Sequence, residues 1–257
     1  MPPKRKTAPA GSAEENGTSK TKGGRAKAAK TAATTTTNGV TKGGRSRKAK
    51  AVEAEEEPAE FNEARCLEWF KSYTGLEDED FGAHQIGPNG ISKLCDDIGI
   101  SLAAIDILVL AHKLEADTMP IFKEDEWTKG MKKLEVDSSK KLKVRLQELV
   151  TKLKEPQEFK GFYRYVFMFV KDSEQKCMAI DTAIGILGTV LGDRRHVKSF
   201  LEFLEEKRPI KVINRDQWYS LLDFTESVAE DFSDYDETNS AWPVLFDDYI
   251  EWKRKSA

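Results

Sequence analysis

Cysteine and histidine are scarce: the 257 residues hold three of each. Cys66, Cys95 and Cys177 are too few and too scattered for a disulfide framework or a zinc site. His84, His112 and His196 share no spacing that would build a metal pair or a catalytic dyad. Cys66 and Cys95 fall inside helical patterns and read as small core residues. All six are expected to be structural, with no metal and no cofactor. Long apolar runs are also missing, since none approaches the roughly 18 residues of a membrane span. The N-terminus lacks the apolar centre of a signal peptide, and Pro2 stands where N-myristoylation needs glycine. No glycine-rich fingerprint follows a strand, and the stretch from Gly185 to Gly192 falls in or at the end of a helical pattern, so nucleotide binding is excluded. A soluble, intracellular protein without membrane contact is expected.

Charge is plentiful but unevenly spread. Residues 1–50 carry 13 Lys or Arg against 2 Glu, which leaves 28 basic and 42 acidic residues for the remainder and a total of −3. A basic tail is therefore joined to an acidic body. After Met1, Val40 is the one apolar residue larger than alanine in the tail, proline aside. Such a segment cannot offset the roughly 1–2 kcal/mol per residue of backbone entropy lost on ordering. Residues 1–58, ending in the acidic hinge Glu53 to Pro58, are expected to be disordered, and residues 59–257 to form one domain. Lys4, Arg5 and Lys6 head the tail as a candidate nuclear-import address, so a nuclear location is expected, with the cytoplasm second. The same cations could contact phosphates, which makes a nuclear nucleic-acid or chromatin binder the alternative function. No aromatic residue is interleaved for base stacking, so nucleic acid is not the expected partner.

The body is helical in its periodicity. Leu67, Phe70, Tyr73 and Thr74 mark a first helix behind Phe61, and Ile91 to Cys95 begin another after a turn-rich stretch. From Leu102 to Leu114 the chain is apolar on nearly every side, as a helix in mid-core would be. Leu142, Leu146, Leu149, Val150 and Leu153 follow one helical face. So do Phe162, Tyr165, Val166, Phe169 and Val170, and then Trp218, Leu221, Leu222, Thr225, Val228, Ala229 and Phe232. Ile210 to Ile213 is the one short strand candidate. The spacing predicts an all-α, compact bundle of about ten helices.

Asp78, Glu79 and Asp80, followed by Asn89 and Gly90 between two helices, have the outline of a calcium-binding EF-hand loop. The ligands fail in each register. Starting at Asp78 puts Ala83 where the turn needs glycine and Asn89 where a bidentate Glu belongs; placing Gly90 at the turn leaves Gln85 and Gly87 as ligands. An EF-hand-like helix pair without metal is expected near the N-terminal end of the domain. Near the C-terminus, Asp216 and Asp247 each lie beside a large apolar residue, Trp218 and Phe246. An acid at the rim of an apolar patch meets a lysine or arginine with less screening than a free surface pair.

Several motifs together carry a family resemblance: Asp216-Gln217-Trp218, Leu221-Leu222-Asp223-Phe224, Tyr235-Asp236-Glu237 and Ala241-Trp242-Pro243-Val244-Leu245-Phe246-Asp247-Asp248. Gly90-Ile91 with Leu94-Cys95-Asp96-Asp97 adds to them, as does Leu153-Lys154-Glu155-Pro156 leading into Phe159-Lys160-Gly161-Phe162-Tyr163. From about Phe61 to Trp252 the chain resembles the defective-in-cullin-neddylation family and its all-helical potentiating-neddylation (PONY or DCUN) domain. The resemblance implies a non-catalytic scaffold co-ligase. It would grip a cullin with its RING subunit and the charged conjugating enzyme together, form no covalent intermediate, and act as a monomer.

Two surfaces carry over by position. The family's Asp-Ala-Asp patch, which receives basic residues of the cullin's C-terminal winged-helix domain, falls on Asp216, Ala241 and Asp247. Its apolar pocket, which takes the acetylated N-terminal methionine of the conjugating enzyme, falls on Ile91, Ile107, Leu110, Ala111, Leu114, Phe122 and Phe169. Pro88, Met119 and Thr189 depart from many relatives near that pocket. The basic tail resembles the family's nuclear subgroup.

Overall fold

The computed structural model describes residues 60–76, 81–236 and 241–256. The tail and its expected disorder, Lys4, Arg5, Lys6, the 58/59 domain boundary and Asp78, Glu79 and Asp80 lie outside the described residues.

The first half runs α1 (Glu63–Lys71), β1 (Gln85–Ile86), α2 (Pro88–Ile98), α3 (Ile105–Leu114), β2 (Phe122–Lys123) and α4 (Glu124–Leu134). The two strands pair antiparallel, Gln85 with Lys123 and Ile86 with Phe122, so two helix–strand–helix units are joined across their loops in the EF-hand manner. After α5 (Ser139–Lys152) the plan repeats with α6 (Pro156–Val170), β3 (Met178–Ala179), α7 (Ile180–Leu191), α8 (Val197–Lys207), β4 (Val212–Ile213) and α9 (Arg215–Ser227). Met178 pairs with Ile213 and Ala179 with Val212. Helix α10 (Val244–Ser256) closes the order, giving ten helices among the described residues. The EF-hand outline is legible in the N-terminal part, whereas the loops of the second pair carry no run of three acids to mark them. The strand candidate Ile210 to Ile213 resolves to a two-residue strand that needs β3 as its partner.

Local chemistry sets the helix starts. Asn62 caps α1 by accepting the Arg65 N–H at 2.9 Å, and Asn214 caps α9 by accepting the Gln217 N–H at 2.8 Å. Gln217 returns a bond to the Asn214 N–H at 3.0 Å, completing a capping box. Pro88 and Pro156 open α2 and α6 at a position that needs no N–H donor. Gly90 is required by packing, since a Cβ there would lie 2.1 Å from the Tyr73 carbonyl oxygen. Gly130 plays the same part in α4, where a Cβ would meet Leu114 Cα at 2.8 Å and the end of α3 could not approach.

One buried apolar cluster runs through both halves. Helix α3 packs against α4, α5 and α6, and Ile107 to Ala111 are all buried, as its all-round apolar character requires. The helical pattern from Trp218 to Phe232 outruns its helix. At Val228 the chain turns extended, and Phe232, at φ 57°, reaches the core from a turn by stacking on His196 at 4.9 Å. Apolar spacing thus followed burial rather than helix length.

Asp137, fully buried, ties the N-terminal helix to the α4–α5 turn. It accepts the Asn62 N–H at 2.6 Å, ion-pairs with Lys141 at 3.0 Å and bonds to the Arg65 guanidinium. Burial pushes its carboxyl up, but the Asn62 N–H, Lys141 and Arg65 outweigh that and hold it below the usual carboxylate value.

Candidate functional site

An apolar pocket of about 100 Å³ opens between α2, α3, β2 and α6. Pro88 and Ile91 come from α2, Ile107 and Leu108 from α3, Phe122 from β2 and Phe169 from α6, with Leu102, Met119 and Pro120 on loops. The Met119 N–H donates to the Phe169 carbonyl at 3.1 Å, which fixes the loop to α6. Leu102 and Met119 remain 54% and 43% exposed at the pocket's margin. Its walls bear no charged side chain. Such a space, on the scale of one large aliphatic side chain, suits an uncharged apolar group and rejects a free ammonium, which would have to shed its water without a counter-charge.

Of the seven residues assigned to the pocket by resemblance, Ile91, Ile107, Phe122 and Phe169 line it. Leu110, Ala111 and Leu114 are buried one or two turns further along α3 and are not among the lining residues. A helix that is apolar all round gives no sign of where along it a cavity opens. Leu108 lies on that same helix, whereas Leu102 and Pro120 stand on loops, where no periodicity marks a pocket residue. Thr189 lies on α7, its hydroxyl donating to the Gly185 carbonyl at 3.1 Å, and is not among the lining residues.

The acidic face is built differently. Asp216 stands exposed in the first turn of α9, placed there by the Asn214 cap. Asp247 occupies the first turn of α10, half-buried, and accepts the Tyr235 O–H at 2.5 Å. Phe224 holds this corner together: Phe246 stacks on it at 4.8 Å, Trp242 meets its edge at 5.6 Å and Tyr235 lies at 6.0 Å. Ala241 is exposed at the approach to α10. Ala241 and Asp247 thus share the Trp242–Phe246 corner, whereas Asp216 precedes Phe224 by eight positions, about 12 Å of helix axis. Asp216 therefore stands at the far end of α9 from the corner that holds Ala241 and Asp247. Both carboxylates sit at helix N-termini, where the helix dipole favours them.

The candidates for covalent chemistry are dispersed. Cys66 and Cys95 are buried, and burial pushes both thiols up to about 11, far from the thiolate a nucleophile needs. Cys177 is half-exposed on the loop before β3. Burial, with help from Lys113, lowers the His112 imidazole below its ordinary value, so it stays neutral at pH 7. His196 Nε2 lies 3.1 Å from the Val228 carbonyl. His84 lies 40 positions from its partner Glu124, at 2.6 Å. No group of three metal-ligating side chains occurs among the described residues. Among those residues no helix is long and apolar enough to cross a membrane.

Residues 141–252 match the family described as cullin binding. The chain is 40% identical over 207 residues to DCN1-like protein 5 of Rattus norvegicus, covering 80% of this chain and 83% of that protein. It is 40% identical over 195 residues to DCN1-like protein 4 of Drosophila melanogaster, covering 76% of each. DCN1-like protein 4 of Danio rerio is 41% identical over 207 residues, with 80% of this chain and 71% of that protein covered. The matched segment contains Asp216, Ala241 and Asp247 but, of the pocket, Phe169 alone.

Proposed function

The chain belongs to the DCN1-like family of cullin-binding proteins, and from that membership we propose that it promotes cullin neddylation as a scaffold. The cullin's C-terminal winged-helix domain docks on Asp216, Ala241 and Asp247, with the RING subunit alongside. The acetylated N-terminus of the conjugating enzyme enters the pocket of Ile91, Ile107, Phe122 and Phe169. The observation that carries this reading is the separation of the two surfaces. The segment matched as cullin binding holds the acidic face, and the apolar pocket is formed mainly by the helices before it.

Acetylation suits the pocket because it converts an ammonium into an amide, and burying a methionine side chain contributes roughly 1.5–3 kcal/mol. Ala241 leaves the cullin's basic residue room to approach the carboxylates. The scaffold contributes position: two tethered partners meet at a raised effective concentration and in restricted orientation. No covalent intermediate forms on this chain, which acts as a monomer. Lys4, Arg5 and Lys6 direct it to the nucleus.

The test is the rate of cullin neddylation in a purified system, with the intact chain and a D216A/A241R/D247A variant. Acceleration by the intact chain that disappears in the variant, with helicity retained by circular dichroism, supports the reading. Acceleration that survives moves the cullin site elsewhere. No acceleration with any cullin turns attention to the basic tail, and salt-sensitive DNA binding by that tail would favour the nucleic-acid alternative.

A further inference from the structure

Among the described residues, Val244 is the most solvent-exposed of the large apolar side chains, at 70%. It stands at the first position of α10, directly after the Trp242–Pro243 corner. Leu245 and Phe246 turn into the core, so Val244 shares the outer face with Asp247 and Asp248, three and four positions on. The corner itself is fixed. Trp242 packs on Phe224 and Phe246, and the Phe246 N–H donates to the Pro243 carbonyl at 2.9 Å. The Tyr235 hydroxyl donates to one oxygen of Asp247 and so orients the carboxylate at this corner.

An apolar side chain held bare on a rigid corner, within one turn of an oriented carboxylate, makes a two-part contact. We propose that this end of the acidic face reads a paired feature of the cullin winged-helix domain. Asp247 takes a basic side chain, and Val244 packs against an apolar side chain next to it. The inference rests on the cullin-docking reading above and deepens it: charge alone does not define the partner surface. Continuity with Asp247, inside the segment that matches the cullin-binding family, selects this occupant over a second copy of the chain.

The test is the affinity of the full-length chain for an isolated cullin winged-helix domain, measured calorimetrically at two salt concentrations. Val244→Ser is expected to weaken binding roughly fivefold with an unchanged salt dependence, because an apolar contact and no charge is lost. Val244→Leu should bind as the intact chain does. Asp247→Asn should weaken binding and flatten the salt dependence. Binding by Val244→Ser within about twofold of the intact chain, while Asp247→Asn is impaired, overturns the inference and leaves the docking reading standing. No binding by the intact chain, or full binding by Asp247→Asn, overturns the docking reading and this inference with it.

Discussion

The apolar pocket and the acidic face differ in how the chain assembles them. The pocket draws on α2, α3, β2, α6 and two loops, so its residues span from Pro88 to Phe169 and meet through tertiary packing alone. The acidic face is made of two helix starts, and each carboxylate is placed by local features: the Asn214 cap for Asp216, the Trp242–Phe246 corner for Asp247. The pocket acts by excluding water from an uncharged group, and the face acts by holding charge where water remains. Binding at the first should therefore be nearly indifferent to ionic strength, and binding at the second should not.

The largest expected effect belongs to neither surface. Asp137→Asn leaves Arg65 and Lys141 without their buried partner and should lower stability by about 3 kcal/mol in urea unfolding. Because the folded Asp137 carboxyl is held below its ordinary value, its contribution is present above pH of about 3.9 and is lost as pH falls lower. The variant should therefore flatten the acid limb of the stability curve. Both surfaces should keep their affinities at temperatures where it remains folded, and a selective loss at one would tie that surface to the α1–α5 junction.

Next in size, Ala241→Arg should weaken cullin binding about 100-fold through bulk and like charge. Affinity for an acetylated apolar N-terminal peptide should be unchanged. A loss of peptide binding as well would show that the two surfaces are coupled. Leu102→Glu is the converse probe. This exposed residue at the pocket margin can change without opening a core cavity, and peptide affinity should fall about tenfold while cullin affinity holds. The smallest effect is the most direct: raising salt from about 0.1 to about 0.3 M should weaken cullin binding a few-fold and leave peptide binding within error. Equal salt dependence at both surfaces would erase the distinction.

Much of the architecture was legible in the residues. Leu142, Leu146 and Leu149 lie on the buried side of α5, and α3 lies in mid-core as its all-round apolar character requires. The face of α1 was less legible. Cys66 and Phe70 are its buried residues, while Leu67 is partly exposed, and a nine-residue helix offers too few turns to fix its rotation from apolar spacing. Of the second strand pair only β4, inside Ile210 to Ile213, was legible; its partner β3 was not, because a two-residue strand has no alternation to read.

By itself the sequence determined the helices, their caps, the split between a basic tail and an acidic body, and the carboxylates that meet solvent. These follow from local hydrogen bonding, side-chain periodicity and the cost of burying charge, all of which act over a few residues. Tertiary structure alone decided which apolar residues of α3 face a cavity, since Ile107 and Leu110 are chemically alike and differ only in what packs against them. It also decided that Tyr235 would engage Asp247 across 12 positions of chain. A solvent-averse side chain records that it will be buried, but what lies opposite it is set by elements that arrive from elsewhere in the chain.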